Sequence, residues 1–260
     1  MKRSDQVKKF SPYSIIVLSF LSIIVVGGIL LYLPISKTGQ GSLSFLDAFF
    51  ISTSAVTITG LSSVADLSII LSPFGKVILA LLIQVGGLSV VTLSVFVMYV
   101  IGAKIGIANR ILVKESLNQN SLSGMVKLVK RIVIFTFTIE LIGFLVNLIV
   151  FLPKYDPLDA IGISAFHAIS AFNNAGFDLL GSTSLQAYSG HILLNLNTAI
   201  LIMLGGLGFI VINDLLEKRS FKKLMIHSQI VLVMNFILWI GGTLVFKLSE
   251  PGTASLSWIE

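Results

Sequence analysis

Four stretches without a single charged side chain, 13–33, 77–103, 192–213 and 228–246, constrain this chain more than anything else in it. At 1.5 Å per residue, about 20 helical residues cross the roughly 30 Å hydrocarbon core of a bilayer, and each stretch is long enough to do so. A fifth, 132–152, is interrupted only by Glu140. With 55% hydrophobic and 12% charged residues and a mean hydropathy of +0.98, the chain lies far from the globular average. It reads as an integral membrane protein with five spans. The basic segment ahead of the first span looks like the start of a signal peptide. Its apolar run is too long for one, however, and no small-x-small cleavage site follows, so an uncleaved helix is expected.

Orientation follows from the 18 Lys and Arg residues. Lys2, Arg3, Lys8 and Lys9 precede the first span, six lie in 104–131, and Lys218, Arg219, Lys222 and Lys223 precede the fifth. Only Lys37, Lys76, Lys154 and Lys247 remain for the other side. The positive-inside rule therefore predicts a cytoplasmic N-terminus, with 104–131 and 218–223 also cytoplasmic. The net charge of +6 is accounted for by topology, and nucleic-acid binding is not needed to explain it. There is no cysteine and hence no disulfide framework.

The two outward connections, 34–76 and 153–191, each contain an apolar stretch too short to cross a membrane, which predicts re-entrant segments. Both open with helix-start chemistry. Ser44 stands three residues before Asp47, and Asp156 precedes Pro157 with Asp159 in the first turn, so Ser44 and Asp156 are expected N-caps. Short helices are predicted at about 45–56 and 157–172, running directly into T-I-T-G and N-N-A-G.

The same pattern occurs twice. "SAVTITGL" from Ser54 aligns with "SAFNNAGF" from Ser170 at an offset of 116, and "VGGLSVV" from Val85 aligns with "LGGLGFI" from Leu204 at an offset of 119. Upstream, Leu33-Pro34 matches Leu152-Pro153 at the latter offset. A third unit starts with 228–246, where "SLSWIE" at Ser255 echoes "SLSFLD" at Ser42. The predicted fold is an all-α membrane protein of potassium-channel-like units, each a helix, a re-entrant pore helix with filter loop, and a helix. Two units are complete and a third begins. The organisation is 1–103 for the first unit, 104–131 for the cytoplasmic connection, 132–217 for the second unit, and 218–260 for the cytoplasmic turn and start of the third.

Parallel units of this kind bring polar loops together around an axis along the membrane normal. Non-helical backbone at membrane depth is tolerated only where protein buries it or where it lines an aqueous path. Thr57, Ile58, Thr59 and Gly60 can turn carbonyl oxygens inward to replace a cation's hydration shell, with Gly60 free to take dihedrals closed to other residues. Asn173, Asn174, Ala175 and Gly176 occupy the matching positions, and the two asparagines can present either carbonyls or side-chain amides. The short helices end at these loops, so their C-terminal partial negative charge of about half an elementary charge favours a cation.

"TITGL" at Thr57–Leu61, "FHAISAFNNAGF" at Phe166–Phe177, "QVGGL" at Gln84–Leu88 and "SLNQ" at Ser116–Gln119 resemble the bacterial Ktr/Trk potassium transporters and their plant relatives, over essentially the whole chain. The resemblance implies four such units around one potassium pathway with one glycine per filter loop, Gly60 and Gly176 here. In plant relatives a serine at the first of these positions goes with sodium transport, so Gly60 suggests potassium, with sodium as a possible coupling ion. A bacterial plasma-membrane location, surrounding lipid, a homodimer of pores and a cytosolic nucleotide-binding regulatory subunit are implied as well. The third filter and the fourth unit fall outside these 260 residues. The chain is therefore expected to be a piece of a four-unit protein, the other arrangement being two copies that complete four loops.

Other features have plainer readings. Glu140 is the only acid within a span, and a partner on a neighbouring helix is expected for it. His167 is expected to pack behind the filter, and His191 to sit at a membrane interface. Gly86-Gly87 and Gly205-Gly206 are expected to permit close helix contact, with a hinge as the lesser reading. Ser170 and His167, three apart on one helix, raise the alternative of an intramembrane hydrolase, although no G-x-S-x-G or orienting acid accompanies them. A non-conducting structural subunit is a further alternative. No ATP-binding G-x-x-x-x-G-K-[ST] occurs, no cofactor or catalytic residue is expected, and transport energy must come from gradients or a partner.

Overall fold

The computed structural model describes residues 11–117 and 122–253. The basic residues before position 11, the second half of "SLNQ" and the "SLSWIE" echo lie outside the described residues. Among the described residues the architecture is helical, with one isolated antiparallel bridge, Lys37 to Leu71. The helices are α1 (Pro12–Tyr32), α2 (Phe45–Val56), α3 (Leu67–Ile70), α4 (Pro73–Leu88), α5 (Val90–Val100), α6 (Ile107–Ser116), α7 (Met125–Phe151), α8 (Pro157–Phe172), α9 (Ile192–Gly206), α10 (Phe209–Lys218) and α11 (Ile226–Ser249). Three of them, α1, α7 and α11, are long and apolar enough to cross a membrane. The count rises to five if each of two bent pairs is one span.

Local chemistry sets the helix ends. Ser11 and Ser72 cap α1 and α4 by accepting from the amides of Ser14 and Gly75, each with proline at the first helical position. Pro34 stops α1, because the residue before a proline is driven out of helical dihedrals, and Leu33 has ψ 144°. Ser44 and Asp47 form a complete capping box at the start of α2. Asp156 does stand at the N-cap of α8, but its side chain makes no capping hydrogen bond. That helix starts on its proline alone, an outcome at odds with the expected cap.

Two predicted spans are not straight. Between α4 and α5 the chain turns by 96°, and between α9 and α10 by 94°. The first break falls at Ser89 (φ 67°) and the second at Gly208 (φ 82°), positions separated by the offset of 119 seen in the sequence. Stretches 77–103 and 192–213 are therefore broken helices, because a left-handed residue ends the hydrogen-bond ladder even where hydropathy continues unbroken. The glycine pairs lie just before these breaks. Helix α7 begins earlier than the predicted 132, so the connection 104–131 contains α6 and the first turns of α7.

Small residues allow the helices to approach. On α1, a methyl at Gly27 would lie 2.6 Å from the Ser52 hydroxyl, and one at Gly28 would lie 2.9 Å from the Phe49 ring. The Ser52 hydroxyl donates to the Ile24 carbonyl of α1 at 2.8 Å. Close backbone contact is how helices associate where lipid is as apolar as leucine. The largest core joins α1, α2 and α4 to the end of α8 and its following loop: Leu31, Ile51, Leu79 and Ile83 pack in one cluster with Phe166, Ala175 and Phe177. Ser228 is the one buried residue of α11.

Candidate functional site

Helices α2 and α8 end in the same way. The amides of Ile58 and Thr59 donate to the carbonyls of Ala55 and Ser54 at 3.3 and 2.8 Å. The amides of Asn174 and Ala175 donate to Ala171 and Ser170 at 3.1 and 2.8 Å. This is the Schellman closure, whose pivot residue is left-handed. Ile58 and Asn174 fill the pivot, both with φ 57°. Isoleucine is an unusual choice there, since a β-branched side chain is strained at positive φ. Gly60 and Gly176 follow two residues later with φ 78° and 75°.

With these amides turned back onto the helix ends, the carbonyls of residues 57–60 and 173–176 accept no hydrogen bond among the described residues. Each loop is then stapled by the serine that opens its motif. The Ser54 hydroxyl accepts from the Leu61 amide at 2.9 Å, while the Ser170 hydroxyl donates to the Phe177 carbonyl. Sequence reading gave these serines no positioning role, although both open the aligned octapeptides.

The two loops touch. A methyl on Gly60 would lie 2.6 Å from the Ala175 carbonyl oxygen and 3.2 Å from the Gly176 Cα. Thr57, Thr59, Asn174 and Gly176 are exposed, Ile58 and Gly60 are half-buried, and Ala175 and Asn173 are buried. The Thr57 hydroxyl lies 2.7 Å from that of Thr59 and donates to the Thr53 carbonyl. Asn174 donates through its side-chain amide to the Ile202 carbonyl at 3.3 Å. Asn173 instead turns inward: its Nδ2 donates to Glu140 Oε1 at 3.0 Å, to Gln84 Oε1 at 3.3 Å and to the Ile169 carbonyl at 2.8 Å.

Behind each loop stands a glycine of the next helix. A methyl on Gly86 would meet the Val56 carbonyl at 2.5 Å, and one on Gly205 would meet the Phe172 carbonyl at 1.6 Å. These are close-contact positions, as expected. A cavity of about 210 Å³ flanks the second loop, lined by His167, Ser170, Asn174 and Asp178 among others. His167 Nε2 pairs with the Thr198 hydroxyl at 2.9 Å and its ring stands edge-on to Phe151. His167 and Ser170 thus have separate partners, and no serine–histidine pair for hydrolysis forms. His191 caps α9, Nδ1 accepting from the Leu194 amide. Among the described residues no cluster of His, Cys, Asp and Glu is arranged to hold a metal ion.

The TrkH family of cation transport proteins matches residues 2–245. The chain is 39% identical over 248 residues to Ktr system potassium uptake protein B of Bacillus subtilis, a match covering 94% of this chain and 55% of that relative. Identity is 37% over 249 residues to the potassium/sodium uptake protein NtpJ of Enterococcus hirae, covering 96% and 55%. It is 37% over 250 residues to Ktr system potassium uptake protein B of Vibrio alginolyticus, covering 95% and 54%. The chain spans about half the length of these curated relatives. Matched along nearly its full length, it belongs to the TrkH family of cation transport proteins.

Proposed function

We propose that this chain supplies two of the four filter loops of a potassium uptake pathway, within a longer protein of four repeated units. Thr57–Gly60 and Asn173–Gly176 are the ion-facing backbone, and dehydrated potassium is coordinated by their carbonyl oxygens. The contact of Gly60 with Ala175 and Gly176 carries this reading: two glycine bends, distant in sequence, meet with carbonyls that no donor among the described residues occupies. The ends of α2 and α8 add partial negative charge at the same place. The names of the relatives, potassium uptake and potassium/sodium uptake, support potassium as cargo and leave room for sodium as coupling ion.

The same proposal places the N-terminus, 104–131 and 218–223 in the cytoplasm, on the distribution of Lys and Arg. Units 1–103 and 132–217 are the two complete repeats, and the matched geometry at Ile58 and Asn174, Gly60 and Gly176, Gly86 and Gly205, and Ser89 and Gly208 supports that division. A homodimer and a cytosolic nucleotide-binding subunit follow from the resemblance to the Ktr/Trk transporters.

The test is growth at low potassium of a bacterium lacking its own potassium uptake, expressing the full protein that carries this chain. Growth is expected, and Gly60→Ser and Gly176→Ser are expected to lower potassium uptake and its preference over sodium. Unchanged uptake and preference in both variants would overturn the proposal. The 260 residues expressed alone are expected not to restore growth.

A further inference from the structure

Glu140 poses a physical problem. It is 5% exposed in the middle of α7, and among the described residues it forms no salt bridge. Burying a carboxylate costs several kcal/mol unless a partner compensates, and an apolar residue of similar volume is the more stable choice. What the acid does provide is a strong, directed acceptor, and the group aimed at it is Asn173 Nδ2. Two amide hydrogens there serve three acceptors, on α7, α4 and α8. From the other side, Gly87 leaves room for the amide: a methyl on it would lie 1.8 Å from Asn173 Oδ1.

Asn173 is the C-cap of α8, with φ −78° and ψ 0°, immediately before the left-handed pivot Asn174. A side chain held by three helices fixes the direction in which the chain enters that pivot, and with it the placement of Ala175 and Gly176 against Gly60. The equivalent residue of the first loop, Thr57, bonds only to its own neighbourhood, Thr53 and Thr59. Among the described residues, only the second loop has side-chain hydrogen bonds to other helices.

We infer that Glu140 is a positioning residue for ion discrimination: through Asn173 it holds the second filter loop in register with the first. The inference rests on the filter reading above. It is tested in the full protein by potassium uptake into cells and its competition by sodium, with membrane abundance measured alongside. Glu140→Ala is expected to lower the potassium preference about tenfold and Asn173→Ala, which also loses the bonds to Gln84 and Ile169, at least as much. The double variant is expected to fall no further than Asn173→Ala alone, because that change already removes the bond to Glu140. Glu140→Gln keeps an acceptor oxygen and is expected to retain the preference.

Wild-type preference in Glu140→Ala at normal abundance overturns the inference, as does a Glu140→Gln variant as impaired as Glu140→Ala. If Glu140→Ala does not reach the membrane, Asn173→Ala decides by the same criterion. Gly176→Ser separates the two levels. A shifted preference there beside an unshifted Asn173→Ala removes the tether and leaves the filter, whereas no shift in any variant removes both.

Discussion

Gly60 and Gly176, 116 residues apart, lie so close that a methyl on the first would sit 3.2 Å from the Cα of the second and 2.6 Å from the carbonyl oxygen of Ala175. Neither neighbour is the end of a flexible side chain, so neither can move aside locally. Gly60 also has φ 78°, where a side chain costs about 1–2 kcal/mol. Gly60→Ala is therefore expected to lower thermal stability in detergent and to reduce potassium uptake about tenfold or more, since strain and clash together exceed about 1.4 kcal/mol. An alanine variant with normal uptake would show that the loops need not touch.

Adjacent glycines on α9 make a sharper comparison. A methyl on Gly205 would penetrate the Phe172 carbonyl at 1.6 Å, while the nearest atom to one on Gly206 is 3.7 Å away. Gly205→Ala is expected to cost about 3 kcal/mol by forcing α9 from the end of α8. Gly206→Ala is expected to be near neutral. Thermal unfolding of the two variants in the same detergent checks the ranking, and equal effects would contradict it.

The breaks at Ser89 and Gly208 differ in kind. Ser89 holds φ 67° with a side chain, and its hydroxyl lies 2.8 Å from that of Ser116 at the end of α6. Ser89→Gly loses that bond but relieves the backbone, so the two effects of about 1 kcal/mol each offset. Ser89→Ala keeps the strain and loses the bond, and is expected to be less stable than Ser89→Gly. At Gly208 nothing lies within 4 Å of an added methyl, so Gly208→Ala is expected to cost only the backbone strain of φ 82° and ψ 140°, about 1–3 kcal/mol. Melting temperatures of the three variants check the order.

Capping should differ between α2 and α8. Ser44→Ala removes the hydroxyl's bond of a complete capping box, leaving the one from the Ser44 amide to Asp47, and is expected to cost about 1 kcal/mol. Asp156→Ala removes a side chain without a capping bond and is expected to cost less. Denaturation of the paired variants measures the difference directly.

On α6, Glu115 accepts from the Tyr13 hydroxyl at 2.9 Å. That hydrogen bond, with help from Lys114, holds its carboxyl below the ordinary value of 4.5. A depressed carboxylate contributes stability above its unfolded value and loses it as pH falls through the folded one. The stability gap between the wild type and Glu115→Gln is therefore expected to be constant above pH 4.5 and to close at more acid pH. A gap that widened on acidification would reverse the sign and exclude this contact as its source.

Much of the helical framework was legible in the sequence. The ends of α2 and α8 coincide with the bounds predicted from capping residues and from the onset of T-I-T-G and N-N-A-G, because caps and turns are interactions between residues a few positions apart. The breaks were not legible. "VGGLSVV" is apolar on both sides of Ser89, and hydropathy measures affinity for lipid without recording direction.

Glu140 shows the same limit at the candidate site. As a lone acid in an apolar run it was conspicuous, but its partner Asn173 depends on the register between α7 and α8. Asn173 and Asn174 are neighbours of one type, yet one is buried and the other exposed, a difference that accompanies the left-handed backbone at Asn174.

By itself the sequence determined that the chain is built of membrane-length apolar stretches, where the short helices α2 and α8 start and end, and which backbone segments are too polar to face lipid, since each of these depends on composition or short-range chemistry. Tertiary structure alone decided that Gly60 meets Gly176, that two apolar stretches turn by more than 90°, and that a buried acid accepts a hydrogen bond from Asn173. Those outcomes depend on packing between residues far apart in the chain, where close approach, and not local preference, selects the conformation.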